Sequence, residues 1–228
     1  MENYSVTSDG FSMFERLLTE SAVDDLVSFV EQNISVESRR GGARNLLDFP
    51  QMQALAESFV VRSEVEAVLG RNARVVRGIL FDKTEGANWK VPWHQDVTIA
   101  VTHKVEAEGF GPWSMKAGVL HVQPPATVLE RMLSVRLHLD DCPKENGALR
   151  VIPGSHTSGK LEERLIQELA ERSATVTCAM FRGGALMMRP LLLHASSAST
   201  IPGHRRVIHF DYAAAELPPG MNWAVDQA

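Results

Sequence analysis

The sequence predicts a single, mainly β domain with flanking α-helices, its strands forming an antiparallel sandwich or barrel. Three observations predict it. Residues 10–70 carry helical spacing, residues 73–213 break into short apolar runs divided by Gly, Pro and Asn, and one helical pattern interrupts those runs. A parallel sheet would instead alternate each strand with a helix. A chain of 228 residues, 44% of them hydrophobic, suffices for one sizeable core and falls short of two, so the domain is drawn over 1–228.

In the helical layer, SAVDDLVSFVEQN (21–33) sets Val23, Leu26, Val27 and Val30 on one face behind Ser21, a suitable N-cap. SEVEAVLG (63–70) runs from a second capping residue, Ser63, to Gly70, a common helix stop. The predicted strands are ARVVRGILF (73–81), VTIAV (97–101), MLSVRLHL (132–139), ALRVI (148–152), ATVTCAMF (174–181), GALMM (184–188) and RVIHFDY (206–212). LEERLIQELAER (161–172) is the inserted helix. The stretch HKVEAEGFGPWSMKAGVLHVQPP (103–125) fits no strand and predicts a long connection, either a lid beside His94 or a plain surface excursion.

Several function classes drop out on composition. The formal net charge is −5 and no dense Lys/Arg stripe occurs, which excludes the electrostatic footprint of a nucleic-acid binder. The chain starts without a basic, apolar leader and holds no membrane-length apolar run, so a cytoplasmic protein without a membrane partner is expected. Cys142 and Cys178 lack zinc-ligand spacing and are expected as buried or free thiols.

The chemistry concentrates in PWHQD. On a strand, His94 and Asp96 share a face and Gln95 points away, so an imidazole and a carboxylate aim at one point. His194 ends the apolar run of RPLLLHASS, where a buried strand emerges at a rim. Two imidazoles and one carboxylate are the donor set of the facial triad that suits non-haem Fe(II) and leaves positions open. Arg205, eleven residues on, offers a planar fork for a carboxylate. Arg136 and His138 alternate with Val135, Leu137 and Leu139, and that polar face either lines a pocket or meets water. Lys116 and His121, in the connection, are candidate substrate contacts, as are Arg136 and His138. Arg150 reads as solvated, His156 as part of a turn, Asn146-Gly147 as a turn signal, and His103, His204 and His209 are assigned no site role.

Gly10-Phe11, WHQD (93–96), ENGALRVIPGSH (145–156), LHASS (193–197) and RRVIHFDY (205–212) together resemble the phytanoyl-CoA dioxygenase family of Fe(II)/2-oxoglutarate-dependent oxygenases, over about residues 9–213. The resemblance implies a double-stranded β-helix, the cupin-like jelly roll, with its core at about 73–213. It implies iron ligated by His94, Asp96 and His194, and 2-oxoglutarate held by Arg205 and Ser196, with Gln95 and Trp113 as further cosubstrate contacts. Arg206 is the alternative carboxylate partner, because a one-residue slip exchanges the faces of a strand.

The implied reaction couples 2-oxoglutarate and O2 to hydroxylation of an unactivated C–H bond in a small metabolite, with succinate and CO2 released. A carboxylate at 96 favours hydroxylation over halogenation, since related halogenases carry a small apolar residue there. Two alternatives stand beside it: a non-catalytic jelly-roll module or sensor that binds metal and 2-oxoglutarate, and the same centre performing desaturation, cyclisation or epimerisation. A shared fold does not transfer a substrate.

Overall fold

A period-two pattern in the last long strand organises the molecule. In the computed structural model, which describes residues 3–34, 42–85, 87–201 and 203–227, this strand runs Arg205–Ala213. Its apolar residues Ile208, Phe210 and Tyr212 join the largest hydrophobic cluster, while Arg205 and His209 face a cavity on the other side. Both faces are interior, because different layers cover them.

In chain order the strands are β1 (Phe11–Phe14), β2 (Ala43–Arg44), β3 (Arg74–Lys83), β4 (Val91–His94), β5 (Ile99–Val101), β6 (Trp113–Lys116), β7 (Val119–Val122), β8 (Met132–His138), β9 (Leu149–Val151), β10 (Val176–Cys178), β11 (Ala185–Met188), β12 (His194–Ser196) and β13 (Arg205–Ala213). The helices are α1 (Glu20–Asn33), α2 (Pro50–Ala56), α3 (Phe59–Leu69), α4 (Ala126–Leu129) and α5 (Glu163–Arg172). A six-stranded sheet has the order β1-β11-β8-β13-β3-β2, a four-stranded sheet β10-β9-β12-β4, and a three-stranded sheet β5-β7-β6; every pairing is antiparallel. This is the jelly-roll arrangement, with strands adjacent in a sheet and distant in sequence.

Helices α1, α2 and α3 cover the outer face of the large sheet. Val23 and Val30 of α1, Met52 and Ala56 of α2, and Val61 and Val65 of α3 pack with Leu133, Val135, Leu137, Ile208, Phe210 and Tyr212. Burying one such side chain fully contributes about 1.5–3 kcal/mol, so this layer stabilises the sheet that carries half of the site. The Tyr212 hydroxyl, buried with the rest, donates to the Ala56 carbonyl at 2.8 Å. Among the described residues no helix is long and apolar enough to cross a membrane.

The predicted strands all form, some shorter than expected: only Ile99–Val101 of 97–101 and Val176–Cys178 of 174–181 pair as strands. Other expectations need correction. The cap of α1 is Thr19, whose side chain accepts from the Ala22 N–H at 3.2 Å, so Ser21 lies one residue inside the helix. Helix α3 begins four residues before Ser63, at Phe59, and ends at Gly70 as expected. The connection 103–125, expected to hold no strand, contains two: β6 and β7 make a hairpin within it that pairs with β5. Its two-residue turn, Ala117-Gly118, has both φ values positive (48° and 79°), the geometry that matches strand twist. Ala-Gly lacks the Asn or Asp that usually announces this turn, which hid the hairpin. Cys142 and Cys178 are buried and free.

Removing the true cap is expected to be measurable. Thr19→Ala should cost about 1 kcal/mol in chemical denaturation, whereas Ser21→Ala should change stability by a few tenths at most. Equal effects would contradict the cap assignment.

Candidate metal and cosubstrate centre

The site lies where the large sheet faces the four-stranded sheet. Strand β12 brings His194 opposite His94 of β4 in register, so two imidazoles 100 residues apart become neighbours, their ring centroids 4.1 Å apart. Strand β4 ends at His94, and Asp96 lies beyond it, anchored by its N–H to the Pro190 carbonyl at 2.9 Å. The same-face rule for a strand therefore does not place Asp96; the backbone tie to the segment before His194 does. One ligand atom from each of His94, Asp96 and His194 falls within 4.8 Å of the others, and the Asp96 carboxylate is 3.7 Å from His194 Nε2. That spacing suits a shared metal ion.

The two imidazoles are anchored in the same way. Nδ1 of His94 contacts the Pro92 carbonyl and Nδ1 of His194 the Leu192 carbonyl, each at 2.9 Å. A carbonyl only accepts, so each Nδ1 carries the proton and each Nε2 presents its lone pair inward, as a metal requires. Burial and the adjacent His94 push His194 down to about 4, against the opposing pull of Asp96. Burial alone would raise Asp96, but His194, His94 and Arg77 hold its carboxyl below the usual value. Neutral imidazole beside an ionised carboxylate is the ligating state.

These residues line a cavity of about 260 Å³ together with Arg205, Ser196 and Arg136. Arg205 is buried, donates through a terminal nitrogen to the Gly147 carbonyl, and leaves Nε buried without a partner. Burial lowers its pKa. Gly147 sits at φ 68°, and a Cβ there would come within 2.4 Å of the Ser197 carbonyl. The Asn146-Gly147 turn thus lets two segments approach closely enough to hold the arginine. Ser196 Oγ accepts from Lys83 Nζ at 3.3 Å and keeps its own proton uncommitted. An arginine with an orphaned donor beside a free hydroxyl fits a carboxylate terminus.

Arg206 is turned the other way. Its guanidinium binds Asp140 through two nitrogens, at 2.9 and 2.7 Å, and Glu31 at 2.6 Å. Lying on the opposite face of β13, it cannot reach the cavity.

The remaining sequence-predicted residues divide. Arg136 lines the cavity, with a terminal nitrogen 3.0 Å from His209 Nδ1, and Lys116 lines it with Nζ donating to Thr98 Oγ1 at 3.0 Å. His138 is buried away from the cavity wall, both ring nitrogens unpartnered, kept neutral by burial and by Arg136 and Arg205. His121 lines a second, adjoining cavity instead. Gln95 and Trp113 are not in the cavity wall, which corrects their expected cosubstrate contacts. The Gln95 amide donates to the Gly159 and Leu191 carbonyls and accepts from the Leu161 N–H, so it secures backbone around the site. Trp113 packs in an apolar cluster, with the Lys104 ammonium 5.8 Å from its ring centroid.

Sequence reading missed four contributors: Lys83, His209, Arg77 and Arg44. Lys83 is fully buried, donates to the Ser197 carbonyl at 2.6 Å, and is lowered to about 7 by burial and by Arg205. It escaped because the predicted strand ended at Phe81. His209 stands in the cavity wall with Nε2 2.9 Å from Asp211. Its position four residues after Arg205 on one strand was the available signal. Arg77 and Arg44 line the same cavity, Arg77 with its Nε 2.5 Å from Asp211.

Asp211 anchors this group. Burial would raise its carboxyl, but Arg77, His209 and Ser134 hold it far below the carboxylate range. Because the folded value is depressed, its stabilisation is complete above the unfolded value near ~3.9 and is lost as pH falls below it. Asp211→Asn should therefore lose about 3 kcal/mol at neutral pH, the low end for a broken buried pair because Arg77 stays partly solvated. As pH falls below ~4 the gap between mutant and wild type should narrow progressively, by at most ~1.4 kcal/mol per pH unit; parallel curves in urea denaturation against pH would contradict this.

A jelly roll with a two-histidine, one-carboxylate site at the mouth of its inter-sheet cavity defines the class of non-haem iron oxygenases. A sequence profile described as phytanoyl-CoA dioxygenase matches residues 7–207, and the chain belongs to that family of Fe(II)/2-oxoglutarate-dependent oxygenases. It is 30% identical over 155 residues to an L-proline trans-4-hydroxylase from Streptomyces griseoviridis; the match covers 56% of this chain and spans about half, 49%, of that relative. In fold it is similar to the epimerase SnoN in complex with Fe3+, alpha ketoglutarate and nogalamycin RO, with TM-score 0.71 and 16% identity over 94% of this chain and 88% of that one. It is also similar to SnoK, a carbocyclase from nogalamycin biosynthesis, with TM-score 0.68 and 16% identity over 93% and 85% of the two chains.

Proposed function

We propose that the protein is a dioxygenase that hydroxylates an unactivated C–H bond of a small metabolite, using Fe(II), 2-oxoglutarate and O2 and releasing succinate and CO2. The observation that carries this reading is the convergence of His94, Asp96, His194 and Arg205 on one cavity, with the arginine's Nε unpartnered. Bound iron with 2-oxoglutarate and O2 supplies the oxidant that replaces a C–H hydrogen by hydroxyl.

The chain's own residues bind and orient. His94, His194 and Asp96 hold the metal from one side and leave its other positions open. Arg205 and Ser196 take the far carboxylate of 2-oxoglutarate, and Lys83 keeps Ser196 in place from behind. The buried walls around His194 and Arg205 keep bulk water from competing at the metal. Hydroxylation is supported by the carboxylate at 96 and by the likeness to a proline hydroxylase. The epimerase and the carbocyclase of similar fold motivate the second reading, in which the same centre gives epimerisation or ring closure.

The test is an anaerobic titration with Fe(II) and 2-oxoglutarate, followed by product analysis in air. A visible metal-to-ligand charge-transfer band and catalytic succinate are expected. A hydroxylated product supports the first reading, and an isomerised or cyclised product the second. A band without succinate across a broad substrate panel would make the protein a binding module, and folded protein without a band would sink the oxygenase reading.

A further inference from the structure

The iron-site cavity has a second group of cations that the metal and 2-oxoglutarate leave unused. Arg44 of β2, Arg77 of β3 and Lys116 of β6 all line it. Each feels its neighbours: burial and Arg77 lower Arg44, and burial, Arg77 and Arg44 lower Lys116. Arg205, by contrast, groups with Lys83, Arg136 and His138. Two groups of cations therefore line one cavity, bridged by His209 and Asp211, and Arg205 of the first is the one proposed to take the cosubstrate.

The anion count leaves the second cluster short. Arg77 is balanced by Asp211. Among the described residues the Lys116 ammonium has only the neutral Thr98 hydroxyl as a hydrogen-bond partner. Arg44, half-buried, has no hydrogen-bond or ion-pair partner among the described residues. The carboxylate that both of them sense, Asp96, belongs to the metal triad. Two half-buried cations without a counter-charge of their own are ready to take a ligand carboxylate, through bidentate hydrogen bonds to a guanidinium.

Next to these cations the cavity continues. A second cavity of about 250 Å³ shares Arg44, Arg77 and Ile79 with the first, and Leu47, Val76, Ala100, Val119 and Val225 give it an apolar lining. His121 adds an unpartnered Nε2 at that wall, its Nδ1 being taken by the Val119 carbonyl at 3.0 Å. Among the described residues Asp48 is the one carboxylate lining the second cavity, and it is exposed.

The geometry points to a small organic acid as the substrate, its carboxylate held at the junction of the two cavities by Arg44, Arg77 and Lys116 and its apolar body lying in the second cavity. This deepens the oxygenase reading and rests on it. The carboxylate anchors the molecule while a neighbouring carbon is presented to the metal; the two cavities are small among ligand pockets, which favours a compact acid over a nucleotide-bearing thioester.

The experiment compares acids with their uncharged counterparts. Hexanoate, 4-methylpentanoate, cyclohexanecarboxylate and phenylacetate are tested against the corresponding primary amides on anaerobic protein carrying Fe(II) and 2-oxoglutarate, by ligand-observed NMR and by perturbation of the charge-transfer band. At least one acid should bind, with its amide about tenfold weaker or more, and Arg44→Gln and Lys116→Gln should each weaken that acid by about tenfold, a loss of ~1.4 kcal/mol. Arg164→Gln, on an exposed side of α5, is the control and should not change acid binding. Equal binding of acids and amides, no binding by any acid, or equal loss in the control would overturn the inference. A missing charge-transfer band would instead strike the oxygenase reading, and the same acid–amide comparison on metal-free protein would still decide the anion site.

Discussion

His194→Ala should abolish the charge-transfer band and reduce succinate formation by more than ~100-fold, the upper end of what loss of a mere outer-sphere partner costs. The reason is geometric. His194 is the proposed ligand that pairs β12 with β4 opposite His94, and its Nε2 lies 3.7 Å from the Asp96 carboxylate. Its removal leaves two ligands, too few to hold the metal in a facial arrangement. A readout independent of turnover is available: a ligand that binds only the folded state stabilises it by about 2.7 kcal/mol at 100 times its Kd. Fe(II) should raise the wild-type Tm and leave that of His194→Ala unchanged. An Fe(II)-dependent shift retained in the mutant would contradict the proposed ligand set.

Arg205→Ala should weaken 2-oxoglutarate by roughly 100-fold, about 3 kcal/mol for losing a charge-assisted pair in a buried site. Arg205→Lys keeps the charge but loses the planar fork, and should fall between mutant and wild type. Arg206→Ala should leave 2-oxoglutarate affinity unchanged and cost about 2 kcal/mol of stability, because Asp140 loses its guanidinium in a largely buried pair while Glu31 is exposed. Isothermal titration of the three variants, with denaturation curves alongside, checks both halves. A reversed pattern would mean that β13 presents its other face to the cavity.

Much of the site was legible because its chemistry is carried by residue type and spacing. A histidine and an aspartate two apart, a second histidine after an apolar run and an arginine eleven residues later specify a donor set without coordinates. Arg205 against Arg206 was open, since alternation says only that neighbours face opposite ways; the pairing of Arg206 with Asp140 and Glu31 settles which face is which. Ser196 and Arg136 also take places in the cavity wall. Gln95 and Trp113 do not, because one satisfies three backbone groups and the other fills an apolar cluster.

The cationic pair Arg44 and Arg77 was invisible for a related reason. Arg44 sits on a two-residue strand at the sheet edge, too short to show any period, and Arg77 reads as an ordinary polar position of an alternating strand. Lys116 was assigned to a loose connection, yet the Ala117-Gly118 turn folds that connection into a hairpin and directs the lysine at the metal cavity.

By itself the sequence determined where the longer core strands occur, which residue types are available to bind metal and carboxylate, and that each long strand has one polar and one apolar face. Tertiary structure decided what covers each face. Periodicity of two distinguishes the sides of β8 and β13 but carries no information about the layers beyond them. Helices bury the apolar side, and the four-stranded sheet closes over the polar side, so Arg136, Arg205 and His209 all become walls of the cavity that holds the candidate site.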